Sequence, residues 1–305
     1  MPAIQVTKSI LIEAPMDRVF GYIVDFNHWL LWSPWLLAEP DAVVAITNEG
    51  RSYHWRGEIV GEGKIDVVRI DESGPTKRVE CALEFLRPFR SRSQTGFLLA
   101  SEGENTRVEW NMKSSLPFFL FWMKDSMKVW IGMDYKRGLL RLKDLCEKGE
   151  VLSSLEVPGL GRMNGFHYLG LEGKAHMDEM GKALPAAFER LFAHCPETSG
   201  SPTVLYRKWD LKNQVGSFTA CLPIESPWTR LPEGLIVGQV PDSAVYRILH
   251  TGPYHHIGNA WSVGMSHRKK RYKGARHMPP MERYLNDPTK VPPREYLTEV
   301  LFPTK

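Results

Sequence analysis

An acidic residue in the middle of an apolar strand is the first candidate for chemistry in this sequence. Residues 296–303 read Y-L-T-E-V-L-F-P, so Glu299 shares one strand face with Leu297 and Leu301. A carboxylate on an apolar face is costly unless charges or hydrogen bonds pair with it. Two interpretations stay open. Glu299 lies at a sheet edge and meets water or a basic side chain, or it is a buried acid at the floor of an aromatic pocket that selects cationic or strongly polarised ligands.

A second candidate, Tyr254, lies where a predicted strand turns into a helix. Residues 245–254, V-Y-R-I-L-H-T-G-P-Y, begin with β-branched, aromatic and aliphatic side chains and end in a Gly-Pro break. Tyr254, Ile257 and Trp261 then recur at the spacing of one helix face, and proline suits the first turn of that helix. The pattern therefore places Tyr254 at the mouth of a strand-to-helix junction.

The junction and the last strand together resemble the GyrI-like effector-binding domain, which is also the ligand-binding part of AraC-type and multidrug-responsive regulators. The resemblance rests on H-x-G-P-Y at 250–254 and on T-E-V-L-F-P at 298–303, and it covers residues 155–305. Where the family usually has Ile or Leu, Tyr and Ile before the proline, this chain has V-L-F. A faint repeat of Y-L-G-L-E-G and G-K-A-L in Y-R-I-L-H-T-G and G-N-A-W agrees with a duplicated strand-helix-strand-strand unit.

The resemblance implies that a small molecule binds where the two halves of this domain meet. It also implies that Glu299 matches the acid that contacts cationic effectors in some members. Several aromatic residues are expected near this cleft, with core packing as the alternative role for each. They are Tyr168, Tyr206, Trp209, Tyr254, Trp261 and Tyr296.

The N-terminal half has a different pattern. A strand at 4–12 is followed by A-P-M-D-R-V-F, which starts a helix, and by the tryptophan-rich stretch W-L-L-W-S-P-W at 29–35. Strand-like runs between glycine-bearing turns then indicate an antiparallel meander. These runs are 52–55, 58–70, 77–85, 93–99 and 106–112. Residues 123–147 predict one long helix. The order predicts an α+β helix-grip domain, in which a curved antiparallel sheet wraps a long C-terminal helix.

This half resembles the SRPBCC superfamily, the polyketide cyclase or START-related group, through A-P-M-D-R-V-F, the tryptophan-rich stretch and the closing helix D-Y-K-R-G-L-L-R-L-K. The superfamily includes binders, lipid carriers and cyclases, so the resemblance implies a fold and a cavity rather than an activity. Aromatic residues predicted to line that cavity or its core are Trp32, Trp55, Phe85, Phe97 and Trp110. The expected domains are 1–149 and 155–305.

Composition limits the other classes of function. The 305 residues carry a formal net charge of +4, which is too small to indicate nucleic acid, and no helix-turn-helix or zinc-finger pattern predicts direct DNA binding. Four cysteines without a C-x-x-C spacing indicate neither a zinc site nor a disulfide framework. No metal or other cofactor is expected. The N-terminus has no signal-peptide pattern, and the apolar run 116–123 is too short to span a membrane, so we expect a cytoplasmic protein.

Three functions follow, in this order of preference. The first is a binding protein that senses or sequesters small apolar or cationic molecules. The second, implied by the GyrI-like resemblance, is a hydrolase of strained electrophilic molecules, in which Glu299 acts as general base on water and Tyr254 orients the substrate. The third is an interaction module, such as a gyrase-inhibitor-like protein, that uses the basic run Arg268–Lys273 on a protein partner. The sequence leaves the ligand, any homodimer and communication between domains open.

Overall fold

The computed structural model describes residues 3–115, 122–276 and 278–305. The chain divides into two compact units, Met1–Leu152 and Ser153–Lys305. Each unit contains one antiparallel sheet and its own helices. The α+β class predicted from the sequence is therefore confirmed.

The sheet of the first unit has seven strands in the order β1-β7-β6-β5-β4-β3-β2. They are β1 Ala3–Ile12, β2 Val43–Thr47, β3 Ser52–Arg56, β4 Glu62–Asp71, β5 Thr76–Arg87, β6 Ser91–Glu102 and β7 Asn105–Ser115. The helices are α1 Met16–Val24, α2 Trp29–Trp32, a 3₁₀ turn Trp35–Ala38 and α3 Lys124–Lys148. This is the predicted strand, short helices, meander and long helix.

Two details of this sheet differ from the sequence prediction. The edge strand β2 was not predicted, because V-V-A-I-T is apolar at four of five positions and shows no alternation, although Val44 and Ile46 pack against the core. The strand predicted from residue 58 begins only at Glu62. The reason is Glu39, whose buried carboxylate accepts hydrogen bonds from the backbone N–H groups of residues 58, 59 and 60 and so holds them in a loop.

Helix α3 packs on the sheet through aromatic stacking. The ring of Tyr135 lies 4.0 Å from that of Trp110 on β7, at an interplanar angle of 9°. One turn later, Gly138 allows the helix to approach closely, because a Cβ at this position would lie 2.7 Å from the same indole. The helix ends at Gly149, whose φ of 81° suits the left-handed cap that glycine adopts without strain.

The sheet of the second unit has eight strands in the order β12-β9-β11-β10-β14-β15-β13-β8. They are β8 Ser154–Met163, β9 Phe166–His176, β10 Thr203–Asp210, β11 Val215–Ile224, β12 Ile236–Val240, β13 Ser243–Thr251, β14 Met281–Tyr284 and β15 Leu297–Pro303. The helices are α4 Met180–His194 and α5 Gly258–His267. Short 3₁₀ turns are Met177–Glu179, Tyr254–His256 and Pro293–Glu295.

The strand order shows that this unit is a duplication. Two segments each run strand, helix, strand, strand along the chain: β9-α4-β10-β11 and β13-α5-β14-β15. In the sheet, the third strand of each segment lies between its first and second strands. The two copies meet where β10 pairs with β14. Residues 162–171 do not form one continuous strand but belong to parts of β8 and β9. They separate at Gly165, where the backbone of residues 240–242 approaches too closely for a side chain.

Candidate functional site

A buried acid, Glu282, lies at the junction of the two copies, on the sheet face that the helices cover. Its side chain is 3% exposed. One carboxylate oxygen accepts hydrogen bonds from the hydroxyls of Tyr206, at 2.9 Å, and Tyr284, at 2.8 Å. The other accepts a hydrogen bond from the indole N–H of Trp261 on α5, at 2.5 Å. Among the residues that the structure describes, no basic side chain pairs with this carboxylate.

Aromatic rings from both copies surround Glu282. The ring of Tyr206 stacks on the indole of Trp209 at 5.3 Å and meets the indole of Trp261 edge-on at 5.1 Å. The ring centre of Tyr254 lies 5.4 Å from that of Tyr284 and 4.7 Å from that of Tyr296. Helix α4 contributes a phenylalanine ring 5.8 Å from Tyr284. We call this set the aromatic cluster: Phe188, Tyr206, Trp209, Tyr254, Trp261, Tyr284 and Tyr296.

Local backbone features position these rings. A bulge in β10 after Tyr206 changes the register, and Gly216 on β11 leaves room for Trp209, whose ring would lie 2.6 Å from a Cβ there. The predicted junction is present: Gly252, with a φ of 134°, ends β13 and donates its N–H to the carbonyl of Tyr296. That bond ties the start of the Tyr254 turn to the segment before β15.

Burial dominates the electrostatics of the cluster. It raises the pKa of Glu282 above its ordinary value, although the hydrogen bonds from Trp261, Tyr284 and Tyr206 lower it again in part. Burial also raises the pKa of Tyr206 and Tyr284 well above the usual range, and that of Tyr254 to about 12. The tyrosines therefore remain neutral hydrogen-bond donors, and the carboxylate is the one acid among them.

Glu299 occupies a different place from the one expected at the floor of an aromatic pocket. It is 1% exposed and lies on the opposite face of the sheet from Glu282, because it pairs in register with Arg283, the residue after Glu282. Arg247 donates to one of its oxygens at 2.5 Å, and Arg283 donates to the other. Glu299 is therefore a buried ion-paired residue: the basic partner expected in the first interpretation is present, but the expected position at a sheet edge is wrong, because β15 lies between β14 and β13.

The expected cleft residues divide between the two faces. Tyr206, Trp209, Tyr254, Trp261 and Tyr296 come together in the aromatic cluster. Tyr168 does not, since its hydroxyl accepts a hydrogen bond from Arg207 and its ring packs in the core cluster on the Glu299 face. Sequence reasoning missed Glu282, Tyr284 and Phe188. The available signal was M-E-R-Y at 281–284, in which an acid and a tyrosine two residues apart share one strand face.

The aromatic residues predicted for the N-terminal cavity also form two groups. Trp32, Phe97 and Trp110 are completely buried in the core, and the rings of Phe97 and Trp110 stack at 4.8 Å. Trp55 and Phe85 are half-buried and meet edge-on at 5.8 Å. The first group thus packs inside the core of the domain, and the second group lies at the partly exposed edge of that core.

The basic run Arg268–Lys273 forms a tight loop after α5. Tyr272 fixes it from within: its hydroxyl donates to the carbonyl of Gly264 at 3.0 Å, and its ring stacks on Tyr246 at 4.5 Å. Lys269 and the other basic residues of the loop are exposed. A role for this loop on a protein partner stays a prediction.

No helix among the described residues is both long and apolar enough to cross a membrane. The apolar run 116–123 noted in the sequence lies mostly outside the residues that the structure describes.

The duplicated sheet with a buried acid among aromatic rings is the architecture of a small-molecule-binding domain. Comparison with protein families agrees: residues 3–147 match the model for polyketide cyclase / dehydrase and lipid transport. Residues 162–305 match the model for the GyrI-like small molecule binding domain. The chain thus joins a polyketide-cyclase-like domain to a GyrI-like domain, as the sequence resemblance implied. No curated protein matches the chain.

Solved structures are similar to parts of the chain. The cryo-EM structure of an EcmrR–DNA complex has 16% identity over 59% of this chain and 68% of that chain, with a TM-score of 0.42. The EcmrR C-terminal domain has 18% identity over 50% and 98%, with a TM-score of 0.40. CalU16 from Micromonospora echinospora has 16% identity over 46% and 73%, with a TM-score of 0.33.

Proposed function

We propose that the C-terminal domain binds small organic cations that carry an aromatic or apolar group. One observation carries this proposal: Glu282 is buried among neutral aromatic donors, and no basic side chain pairs with it among the described residues. A buried carboxylate without a counter-ion is unfavourable, and its pKa is raised accordingly. A cationic ligand supplies the missing charge.

The aromatic cluster suits the same ligand. The faces of tyrosine and tryptophan rings attract cations, most strongly where water is excluded. Every ring of the cluster except that of Tyr206 is half-buried, so a ligand at the surface can reach the cluster. Because rings come from both copies of the repeat, a ligand of the size of one or two rings would contact both.

The test compares a cation with a neutral molecule of the same shape. Benzyltrimethylammonium and neopentylbenzene differ in having N⁺ or carbon at the branching atom. Calorimetric titration of the full chain should show that the wild type prefers the cation and that Glu282→Gln removes the preference. Glu299→Gln is the matched control, since it neutralises another buried glutamate of the same domain. An equal preference in the wild type and Glu282→Gln would disprove the proposal.

A hydrolase is the second candidate, and the raised pKa of Glu282 favours it, because burial moves the pKa of this carboxyl group toward the range in which general acid–base catalysis is efficient. Glu299 is the weaker candidate for the base, since Arg247 and Arg283 already bind both of its oxygens. Incubation with styrene oxide tests this function. Hydrolysis that Glu282→Gln abolishes and Glu299→Gln retains would support it, and hydrolysis that survives Glu282→Gln would exclude it.

A further inference from the structure

We call Glu282 and the aromatic cluster around it the cation site. Two fully buried polar atoms lie near this site without a hydrogen-bond partner among the described residues. They are Oγ1 of Thr298 on β15 and Nδ1 of His250 on β13. Both residues are 0% exposed. Buried polar side chains nearly always find a partner, so two such atoms in neighbouring strands call for a physical explanation.

The strand register places both atoms beside the aromatic cluster. Thr298 pairs with His250 on one side and with Tyr284 on the other, so the three side chains form a row across the sheet. Tyr284 is two residues from Glu282 and shares its face. The row therefore lies on the face that carries the acid, one step along the strands from it.

The other nitrogen of His250 indicates what this row offers. Asn259 donates its side-chain N–H to Oγ of Ser153, and that hydroxyl lies 3.1 Å from Nε2 of His250. When the hydroxyl donates to Nε2, the ring proton stays on Nδ1. Burial lowers the pKa of His250 to about 3, which keeps the ring neutral. His250 then presents one N–H donor, and Thr298 presents a hydroxyl that can donate or accept.

Valine would fill the place of Thr298 with the same shape and without an unsatisfied hydroxyl. A threonine there is unfavourable for the folded protein alone, because a buried polar group that lacks a partner costs the full loss of its hydration. A ligand group that accepts from His250 and bonds to Thr298 removes this cost on binding.

We infer that Thr298 and His250 form a polar arm of the cation site, and that its ligands are organic cations with a hydroxyl or carbonyl group set apart from the charge. This inference rests on the proposed function. With about 3.3 Å per residue and about 4.8 Å between strands, the Cα atoms of Glu282 and Thr298 lie roughly 8 Å apart. A benzene ring between the cationic centre and the hydroxyl gives a suitable span.

The test adds one hydroxyl to a cation that already binds. The affinities of benzyltrimethylammonium and 4-hydroxybenzyltrimethylammonium are compared in the full chain by calorimetric titration. We expect the hydroxyl to strengthen binding to the wild type about five- to tenfold, as one satisfied hydrogen bond allows. Thr298→Val should lose this increment and still bind the unsubstituted cation. Thr298→Ser should retain the increment, because it keeps the hydroxyl.

Thr203→Val is the matched control. This threonine is buried in the same domain, and its hydroxyl donates to the carbonyl of Ser201 at 3.0 Å. We expect Thr203→Val to lower the melting temperature and leave the hydroxyl increment intact, whereas Thr298→Val should not lower the melting temperature.

The measurements distinguish failure of the polar arm from failure of the proposed function. If the wild type binds both cations equally, or if Thr298→Val keeps the increment, the polar arm is wrong while the cation site stands. A Thr298→Val variant that loses as much stability as Thr203→Val and keeps the increment shows that the hydroxyl has a partner inside the protein. If the unsubstituted cation does not bind the wild type, the proposed function is disproved, and the polar arm, which depends on it, is disproved as well.

Discussion

Replacement of Glu282 by glutamine separates charge from shape at the candidate site. Glutamine fits because its carbonyl oxygen can take the hydrogen bond of Trp261, whose indole N–H can only donate. Its amide nitrogen then faces Tyr206 and Tyr284, whose hydroxyls can rotate to accept. We therefore expect Glu282→Gln to fold with the aromatic cluster in place.

The loss of cation affinity can be estimated from the burial. Unit charges about 4–5 Å apart attract each other by about 3–4 kcal/mol at an effective dielectric constant of about 20. Removal of water from the carboxylate opposes part of this gain, which leaves about 2–3 kcal/mol, or roughly 30- to 150-fold in the Kd of benzyltrimethylammonium. The affinity for neopentylbenzene should change less than threefold, about 0.6 kcal/mol.

The dependence of stability on pH gives an independent measurement without a ligand. Because the pKa of Glu282 is raised in the folded protein, the folded state binds more protons than the unfolded chain just above the ordinary glutamate range. The free energy of unfolding therefore falls as pH rises from about 4.5 through the raised pKa. Glu282→Gln should lack this decrease and be more stable than the wild type at pH 8.

The same linkage predicts that wild-type affinity for the cation increases with pH through the raised pKa, since the ionised carboxylate is the form that binds it. Urea denaturation and calorimetric titration at pH 5, 6, 7 and 8 measure the two effects. A wild type and a Glu282→Gln variant with parallel pH profiles of stability, and with equal cation affinity, would refute the assignment of Glu282 as the unpaired buried acid.

Three further predictions concern the framework. Arg283→Met should lower the free energy of unfolding by about 2 kcal/mol, because it leaves buried Glu299 with one guanidinium. Arg294→Met breaks an exposed pair and should change the free energy of unfolding by less than about 0.5 kcal/mol. Equal effects of the two variants in urea denaturation would contradict this. Gly138→Ala should destabilise by about 1–3 kcal/mol because its Cβ meets the Trp110 ring, and Gly181→Ala, with open space around it, should be neutral or stabilising. Since burial lowers the pKa of His250 from 6.5 to about 3, the unfolded chain binds the extra proton below pH 6.5, and stability should fall by about 3 kcal/mol on acidification to pH 4. A His250→Gln variant with the same slope would show that another group is responsible.

Much of the fold could be predicted from local pattern. The A-P-M-D-R-V-F start, the glycine-bearing turns and the long helix of the first unit lie close to their predicted positions, because strand alternation and helical spacing are properties of short segments. The H-x-G-P-Y junction was recognisable for the same reason. Tyr206, Tyr254, Trp261 and Tyr296 were expected together, and the structure brings them together in the aromatic cluster.

The identity of the buried acid among these rings was decided by tertiary structure. Glu282 and Glu299 are both acids on strands, and a single strand shows which residues share a face without showing which face meets the helices. The pairing of β14 with β15 aligns Arg283 with Glu299, which places Glu282 on the other face, toward Trp261 and Tyr206. A register shifted by one residue would exchange the two faces. The sequence by itself determined the elements and the supply of aromatic rings, and the long-range strand pairing determined that Glu282 is the acid they surround.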